Sequence, residues 1–378
     1  MPAQSKSIYK TAAPSLSSGL LLFFLLGGTQ ALYGPTLQTI GAAFGQSVQS
    51  AALLLSVHGL GTLLAALALG VRPFLLGRQR IGVALSILTV GTLLLGFAPF
   101  WMVALLGALL IGVGFGILAV RINTIFAAQG SSKSNLINTV FGVGAVLSPL
   151  LTQLPHTQGK VVFLLMALLG ALLHPLAYRM HDAQPEPAAG QQQTHPSGKL
   201  WILFLVLMVV GGGIEASTSL LASHLVAMGQ SAAQAATATS LFFLTFTLSR
   251  LAAVWISARV SPSSLVAGAL TLTLVLLVLA CLLPSAWWLL VLCGGGVAVF
   301  FPNVFSWLIH TVPGAQHRSG AVMAAALTAG MVFPLVVSQV VAATGGTSLP
   351  YVLIVLTALT LMVVLFLRRQ VKNATPEP

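Results

Sequence analysis

Residues Asn135–Pro149 read N-L-I-N-T-V-F-G-V-G-A-V-L-S-P. The stretch is apolar enough to lie in a membrane, yet it contains two amides, a close pair of glycines and a proline. Small residues let the backbone of a second helix approach closely, and amides are tolerated in a membrane where they face protein or a water-filled cavity. The stretch therefore predicts a helix that is packed inside a membrane bundle and borders a transport path.

The composition of the whole chain also points to a membrane. Of the 378 residues, 57% are hydrophobic and 5% are charged, whereas soluble proteins carry about 25% charged residues. The net charge of +12 does not indicate nucleic acid as a partner, because the bases lie in short loops between apolar runs, as they do at a membrane surface. The first apolar run is longer than the core of a signal peptide, and we interpret it as a retained span.

Twelve apolar runs are long enough to cross a bilayer, which takes roughly 20 residues. The predicted spans cover residues 17–38, 48–70, 79–98, 101–126, 134–154, 160–179, 200–224, 233–257, 263–283, 286–310, 318–343 and 347–367. We therefore predict an all-α integral membrane protein with twelve transmembrane helices in two six-helix bundles, expected to be a monomer in the lipid bilayer. The bundles are 1–179 and 200–378, joined by a polar linker at 180–199.

The positions of lysine and arginine predict the orientation. The loop bases fall on one side of the twelve-span arrangement, and Lys160 is the exception. The positive-inside rule then places both termini and the linker in the cytoplasm. We expect a multi-pass protein of the cell inner (plasma) membrane.

The two halves repeat each other. Leu26–Ala31 reads L-G-G-T-Q-A, and Gly211–Ala216 reads G-G-G-I-E-A, so that Gln30 and Glu215 occupy equivalent positions. Six spans followed by six spans in the same orientation, with weak internal similarity, is the pattern of parallel transporter repeats. Such repeats place the substrate near the middle of the membrane, between the halves.

Several motifs resemble a known family. Residues 70–80, G-V-R-P-F-L-L-G-R-Q-R, are similar to the loop G-x-L-A-D-R-x-G-R-K of the major facilitator superfamily, although Phe74 stands where the family has aspartate. Three patches resemble its fucose permease and glucose/galactose transporter branch: Asn135–Pro149, F-P-N-V-F at Phe301–Phe305, and Gly213-Ile-Glu215. The resemblance implies two bundles that rock around a central cavity. For this branch it also implies sugar import coupled to a cation.

The resemblance has a limit at the coupling residues. Members of that branch often carry an acid in span 1 or span 4, where this chain has Gln30 and Val120-Arg121. Glu215 is the one acid inside a predicted span, and an ionisable residue at that depth is a functional hypothesis by default. It could bind and release a proton as access alternates, or it could be held permanently by an arginine or by amides. His58 is the second candidate for proton coupling.

Amides and two arginines are the candidates for contact with a substrate. Amides can hydrogen-bond to sugar hydroxyls as donors or acceptors, or they can simply join neighbouring helices. The candidates for substrate binding are Gln30, Asn123, Asn138, Asn303 and Gln339. Arg121 and Arg250 could clamp an anion by paired hydrogen bonds, or they could serve in gating or as anchors at the interface.

These features together predict a secondary active transporter. The preferred substrate is a small polar solute imported by alternating access; mainly the resemblance to the fucose permease branch implies a monosaccharide as the best guess, with a proton or sodium ion as the coupling ion. The alternatives are efflux of amphipathic drug-like compounds, transport of an organic anion through Arg121 and Arg250, and a membrane receptor that binds solute without moving it. We expect no enzymatic activity, no cofactor and no metal site, because no catalytic set or metal-ligand spacing can be assembled.

Overall fold

The computed structural model describes residues 15–72, 80–154, 159–180 and 198–374. Within these ranges, eleven helices are long and apolar enough to cross a membrane, and a pair bent by 50° supplies a twelfth. In the first half, the helices are α1 (Leu16–Ala31 and Tyr33–Ala43), α2 (Leu53–Val71), α3 (Arg80–Phe97), α4 (Trp101–Ala127), α5 (Ser131–Thr152) and α6 (Gly159–Arg179). In the second half, they are α7 (Lys199–Ala227), α8 (Ala233–Ile256), α9 (Pro262–Leu282), α10 (Trp288–Thr311), α11 (Ala315–Thr344) and α12 (Leu349–Asn373).

The architecture confirms the predicted all-α membrane fold with twelve helices. Each predicted span corresponds to the helix of the same number, and most of their boundaries agree within a few residues. Residues 73–79 of the loop motif, including Phe74, lie outside the described residues, as do residues 181–197 of the predicted linker.

Glycines decide how closely α1 and α5 pack. A Cβ atom added at Gly27 would overlap the backbone carbonyl of Phe141, and one added at Gly144 would overlap the carbonyl of Phe24. Gly144 of the Asn135–Pro149 stretch therefore serves helix packing, as small residues do in membranes. At its far end, the helix tightens into a 3₁₀ turn at Ser148–Gln153, where Pro149 removes a backbone donor.

Helix contacts are densest within each half. In the first half, α4 packs against α2 and α3, and α5 packs against α1; in the second, α11 packs against α7, and α10 packs against α8. Apolar side chains fill each group, with Phe23 and Phe163 fully or almost fully buried in the first half and Phe204 and Phe305 fully buried in the second. The halves meet through α2 with α11 and through α5 with α8.

Hydrogen bonds between the halves cluster at one end of the molecule, which we call the base-rich end because Arg72, Lys133 and Arg259 lie there. Ser132 Oγ donates to the carbonyl of Val254 at 2.7 Å, and Ser306 Oγ donates to the carbonyl of Ala127 at 3.1 Å.

The contact between α2 and α11 reinforces this end. Arg318 Nη1 donates to the carbonyl of Gly70 at 2.8 Å. A Cβ atom added at Gly320 would overlap the backbone of α2 at Ala66. The two halves are therefore pressed together at the base-rich end.

Candidate functional site

A cavity between the two halves lies above this closed end. Its deeper part, the deep chamber, has a volume of about 440 Å³ and is lined by residues that include Phe115, Asn123 and Met323. The wider part, the wide chamber, has a volume of about 880 Å³ and runs between α5 and α8, past Val146 and Thr247. The chambers share five lining residues and form one space: Gln30, Phe141, Glu215, Ala216 and Arg250.

An ion pair crosses from α7 to α8 where the chambers meet. Arg250 Nη2 lies 3.3 Å from Glu215 Oε1, and the side chains are 9% and 32% exposed, respectively. Arg250 is also held by a hydrogen bond from its Nε to the carbonyl of Ala298, 2.9 Å long, and by the ring of Phe246, whose centroid is 4.2 Å from the guanidinium carbon. The arginine is thus fixed on three sides, while the carboxylate remains partly open to the cavity.

The ion pair bears on two of the roles that the sequence left open, as they stand in this conformation. Arg250 does not extend to the membrane interface as an anchor; its guanidinium turns into the protein because the carboxylate lies there. Glu215 is held by an arginine, which is one of the two roles that its sequence position allowed. A partly exposed carboxylate beside a fixed cation can still change partners when a proton or a substrate arrives.

Amides of the first half line the same cavity. Asn138 Nδ2 donates to Asn123 Oδ1 at 3.0 Å and to the carbonyl of Ser134 at 2.9 Å, and Asn123 Nδ2 donates to the carbonyl of Ala119 at 2.9 Å. This network leaves Asn138 Oδ1 as an acceptor without a partner among the described residues. Gln30 is exposed in the cavity, and no described residue hydrogen-bonds to its side chain. Both groups can meet a solute.

Two predicted substrate contacts lie elsewhere. Asn303 is fully buried and exchanges hydrogen bonds with Asn135 at 3.2 and 3.3 Å, so it links the halves below the cavity and does not line it. Gln339 is exposed on α11 but lines neither chamber. In this conformation, neither amide is placed to bind a solute in the cavity.

Two predicted ionisable candidates are also removed from the cavity. His58 lies behind Phe115, with ring centroids 5.2 Å apart, and its Nδ1 is 3.3 Å from the hydroxyl of Tyr33. Arg121 is 1% exposed and lines neither chamber. The two arginines therefore do not form a clamp here, because Arg250 alone reaches the cavity.

The sequence interpretation missed the aromatic character of the cavity. Phenylalanines from four helices line the deep chamber: Phe23, Phe115, Phe141, Phe300 and Phe301. Methionines 208, 323 and 331 add to this surface. A signal was available at Phe300-Phe301, because that pair directly precedes the proline of the F-P-N-V-F patch. Within the described ranges, no group of three His, Cys, Asp or Glu side chains could hold a metal ion.

Comparisons with known proteins identify the fold. No protein-family model matches the sequence, and no curated protein matches it. Among solved structures, the fucose:proton symporter of E. coli aligns with a TM-score of 0.77 at 18% identity, over 93% of this chain and 98% of that one. The human organic anion transporter aligns with a TM-score of 0.69 at 18% identity, over 92% and 97% of the two chains.

A third similar structure is a bacterial homologue of the iron transporter ferroportin in its outward-facing state. It aligns with a TM-score of 0.73 at 14% identity, over 94% of this chain and 100% of that one. At these identities the likeness concerns the fold and not the substrate. The twelve helices, the two packed halves and the central cavity together give this chain the fold of the major facilitator superfamily.

Proposed function

We propose that this chain is a secondary active transporter that moves a small polar solute by alternating access. The observation that carries the proposal is the cavity to which both halves contribute polar side chains. Gln30, Asn123 and Asn138 come from the first half, and Glu215 and Arg250 come from the second. Parallel repeats of this kind bind their substrates near the bilayer midplane and expose the site to each side in turn.

The conformation fits the outward-facing half of such a cycle. The positive-inside rule assigns the base-rich end to the cytoplasm, so the closed end would face inward and the cavity outward. Both termini would then be cytoplasmic, and the chain would lie in the cell inner membrane. Two variants, Lys133→Cys and Trp288→Cys, each without Cys281 and Cys293, test this orientation. Each is treated in intact cells with a membrane-impermeant thiol reagent. Labelling at position 288 and not at 133 supports it.

The best substrate candidate is a monosaccharide imported with a proton or another cation. The deep chamber, at about 440 Å³, falls within the range of roughly 300–1,000 Å³ that is usual for small-molecule sites. Gln30 and the oxygen of Asn138 can hydrogen-bond to hydroxyl groups, and the phenylalanine rings can cover the apolar face of a sugar ring. Binding through these amides and aromatic rings does not require the solute to be charged.

Glu215 is the coupling residue in this proposal. A proton on its carboxylate would cancel the negative charge that Arg250 faces, so the charge-assisted bond between the two side chains would weaken to a hydrogen bond with a neutral carboxyl oxygen, while the contacts of Arg250 with Ala298 and Phe246 would remain. The proton-loaded and empty carriers would then differ in the charge of the cavity wall. That difference is what a coupled cycle requires, because a ligand shifts an equilibrium only by its differential affinity for the two states.

Efflux of amphipathic compounds is the second candidate, and the apolar lining favours it. Five phenylalanines and three methionines surround the deep chamber, and methionine side chains adapt to ligands of varied shape. Transport of an organic anion would depend on Arg250 alone, since Arg121 lies outside both chambers. An anion would have to displace Glu215 from Arg250.

Counterflow in proteoliposomes distinguishes these functions. Vesicles that contain the purified protein are loaded with unlabelled sugars, organic acids or cationic dyes, and the entry of the labelled compound is followed with and without a pH gradient. We expect a sugar to exchange and to accumulate when the outside is acidic. Exchange of dyes without any sugar would favour efflux, and exchange of acids alone would favour the anion. If no sugar, organic acid or dye exchanges, the result would favour a membrane protein that binds solute without transporting it.

A further inference from the structure

A second, smaller cavity lies at the base-rich end of the second half, between α9, α10 and α12. Its volume is about 340 Å³, and its lining residues are Ser263, Trp307, Arg368, Arg369, Val371 and Lys372. It shares no lining residue with the deep or the wide chamber. We call it the basic pocket.

The basic pocket concentrates positive charge without a counterion among the described residues. Glu215 is the one acid in the described part of the chain, and it pairs with Arg250. Arg368 Nη2 donates to Ser264 Oγ at 3.0 Å, whereas Arg369 and Lys372 are exposed and have no hydrogen bond or ion pair there. Since Arg368 and Lys372 are one helical turn apart, their like charges repel each other unless an anion is bound.

A hydrogen-bond donor on a mostly buried side chain adjoins these charges. Trp307 is 7% exposed, and its ring packs edge-on against Phe204 with centroids 4.9 Å apart. The indole lines the pocket, and its N–H group makes no hydrogen bond with any residue that the structure describes. An indole nitrogen can only donate, and the hydroxyl of Ser263 can also donate. The pocket therefore presents cations and neutral donors to one ligand, which suits the acceptor oxygens of a phosphate group.

An apolar track leads from the membrane region to the pocket. On α12, Met362 and Leu365 are 57% and 45% exposed, and they precede Arg369 by seven and four residues. Residues at this spacing share one face of a helix, so the track and Arg369 are aligned. A ligand with acyl chains would bury this track while its phosphate contacts the basic residues. A soluble phosphate would leave the track uncovered.

We propose that the basic pocket binds the phosphodiester headgroup of an anionic phospholipid. Clusters of Lys and Arg at the cytoplasmic ends of membrane helices attract anionic lipids, and basic pockets between such helices hold their headgroups. Three features of the pocket go beyond this general attraction: its defined volume, the N–H donor of Trp307, and the apolar face of α12 at Met362 and Leu365 that is aligned with Arg369. The site does not depend on the identity of the transported solute.

Native mass spectrometry of the purified full-length protein tests the proposal. The protein in detergent micelles is titrated with phosphatidylglycerol, with phosphatidylcholine and with inorganic phosphate. We expect tighter binding of phosphatidylglycerol. Replacement of two bases, Arg369→Gln with Lys372→Gln, is expected to weaken that binding roughly 30-fold, at about a fivefold loss for each cation near the surface. Trp307→Phe keeps the ring and removes the N–H group, and should weaken binding roughly fivefold.

The matched control is Lys133→Gln with Arg259→Gln, which removes two exposed bases from the same end but away from the pocket. It should retain the affinity of the native protein. An equal loss in this control would mean a diffuse surface charge and overturn the proposal, as would equal binding of both lipids. Binding of inorganic phosphate as tight as that of phosphatidylglycerol would overturn the lipid assignment. If the pocket double variant does not purify, Lys372→Gln alone carries the test, with a loss of roughly fivefold.

Discussion

Asn135 and Asn303 donate hydrogen bonds to each other's side-chain oxygen across the boundary between the halves, at 3.2 and 3.3 Å. Both residues are fully buried, and each Nδ2 group also donates to a carbonyl of its own helix, that of Ser131 or Val299. Separation of the halves at this end would deprive both amides of their partner. The pair therefore stabilises the conformation in which the base-rich end is closed.

Loss of this pair should shift the protein towards the opposite conformation. An interhelical hydrogen bond in a membrane contributes about 0.6 kcal/mol, so removal of both bonds should change the ratio of the two conformations roughly eightfold. We expect Asn303→Ala to have this effect, and adding Asn135→Ala should contribute little more, because the pair is already broken and Asn135 then keeps only a long contact of 3.4 Å with Ser257 Oγ across the boundary.

Spin labels at Lys133→Cys and Arg259→Cys, in a background without Cys281 and Cys293, measure this shift. These exposed positions lie on opposite halves at the base-rich end. A population at longer distance should grow in Asn303→Ala and remain at the native level in Gln339→Ala, an exposed amide outside the cavity. An unchanged distance distribution in Asn303→Ala would contradict the role of the pair.

Gly320 should be equally sensitive, for a steric reason. A Cβ atom there would overlap the backbone of α2 at Ala66, and backbone cannot rotate away as a side chain can. Gly320→Ala should disfavour the closed base-rich end by about 1–3 kcal/mol, the usual cost of overpacking. The same spin labels report the effect. Gly268→Ala, where the added atom meets nothing within 4 Å, is the control and should leave the distances unaltered.

Glu215→Gln separates coupling from exchange. The amide retains the size of the side chain but cannot carry the charge or release a proton. We expect accumulation driven by a pH gradient to be lost while counterflow of the same solute persists. Accumulation at the native level would remove Glu215 from the coupling mechanism, even if transport itself were confirmed.

Arg250→Ala should destabilise the protein more than its combination with Glu215→Gln. The single change leaves the Glu215 carboxylate without its cation; because the carboxylate is partly exposed to the cavity, the cost should lie near the lower end of the roughly 1–3 kcal/mol for a buried group that loses its partner. The double variant removes that penalty. Apparent melting temperatures of the purified variants in detergent check the order. If the double variant melts below the single variant, the ion pair does not explain the role of Arg250.

Gln30→Ala should weaken solute binding without altering coupling. One hydrogen bond to a neutral solute contributes about 1 kcal/mol, so KM for the solute identified by counterflow should rise roughly fivefold. Gln339→Ala removes an amide that lines neither chamber and should leave KM at the native value. A rise of equal size in both variants would indicate a general loss of folded protein.

The sequence predicted the twelve helices because a span is a local property: its length and apolarity can be counted. The internal repeat makes Gln30 and Glu215 equivalent in sequence, and in the structure both line the same cavity. These successes rest on composition and symmetry, which need no knowledge of side-chain contacts.

The rotation of each helix about its own axis was not predictable in the same way. In a membrane, the lipid-facing and core-facing sides of a helix are both apolar, so the sequence does not show which amide faces a cavity. Asn303 and Asn123 were therefore both candidates for substrate binding, although Asn303 joins the halves and Asn123 lines the cavity. The direction of Arg250 depended on a carboxylate 35 residues earlier in the chain, and no spacing rule connects the two.

The ion pair between Glu215 and Arg250 also has an electrical consequence. Both residues belong to the second half, so the rocking motion of the proposed cycle would carry them together, and the pair would have no net charge to move through the membrane voltage. A proton on Glu215 leaves the arginine uncompensated, and the same motion then displaces one positive charge. Each elementary charge that crosses the full field is worth about 2.3 kcal/mol per 100 mV. Reorientation of the protonated carrier would respond to voltage, whereas return of the unprotonated carrier would be electrically silent.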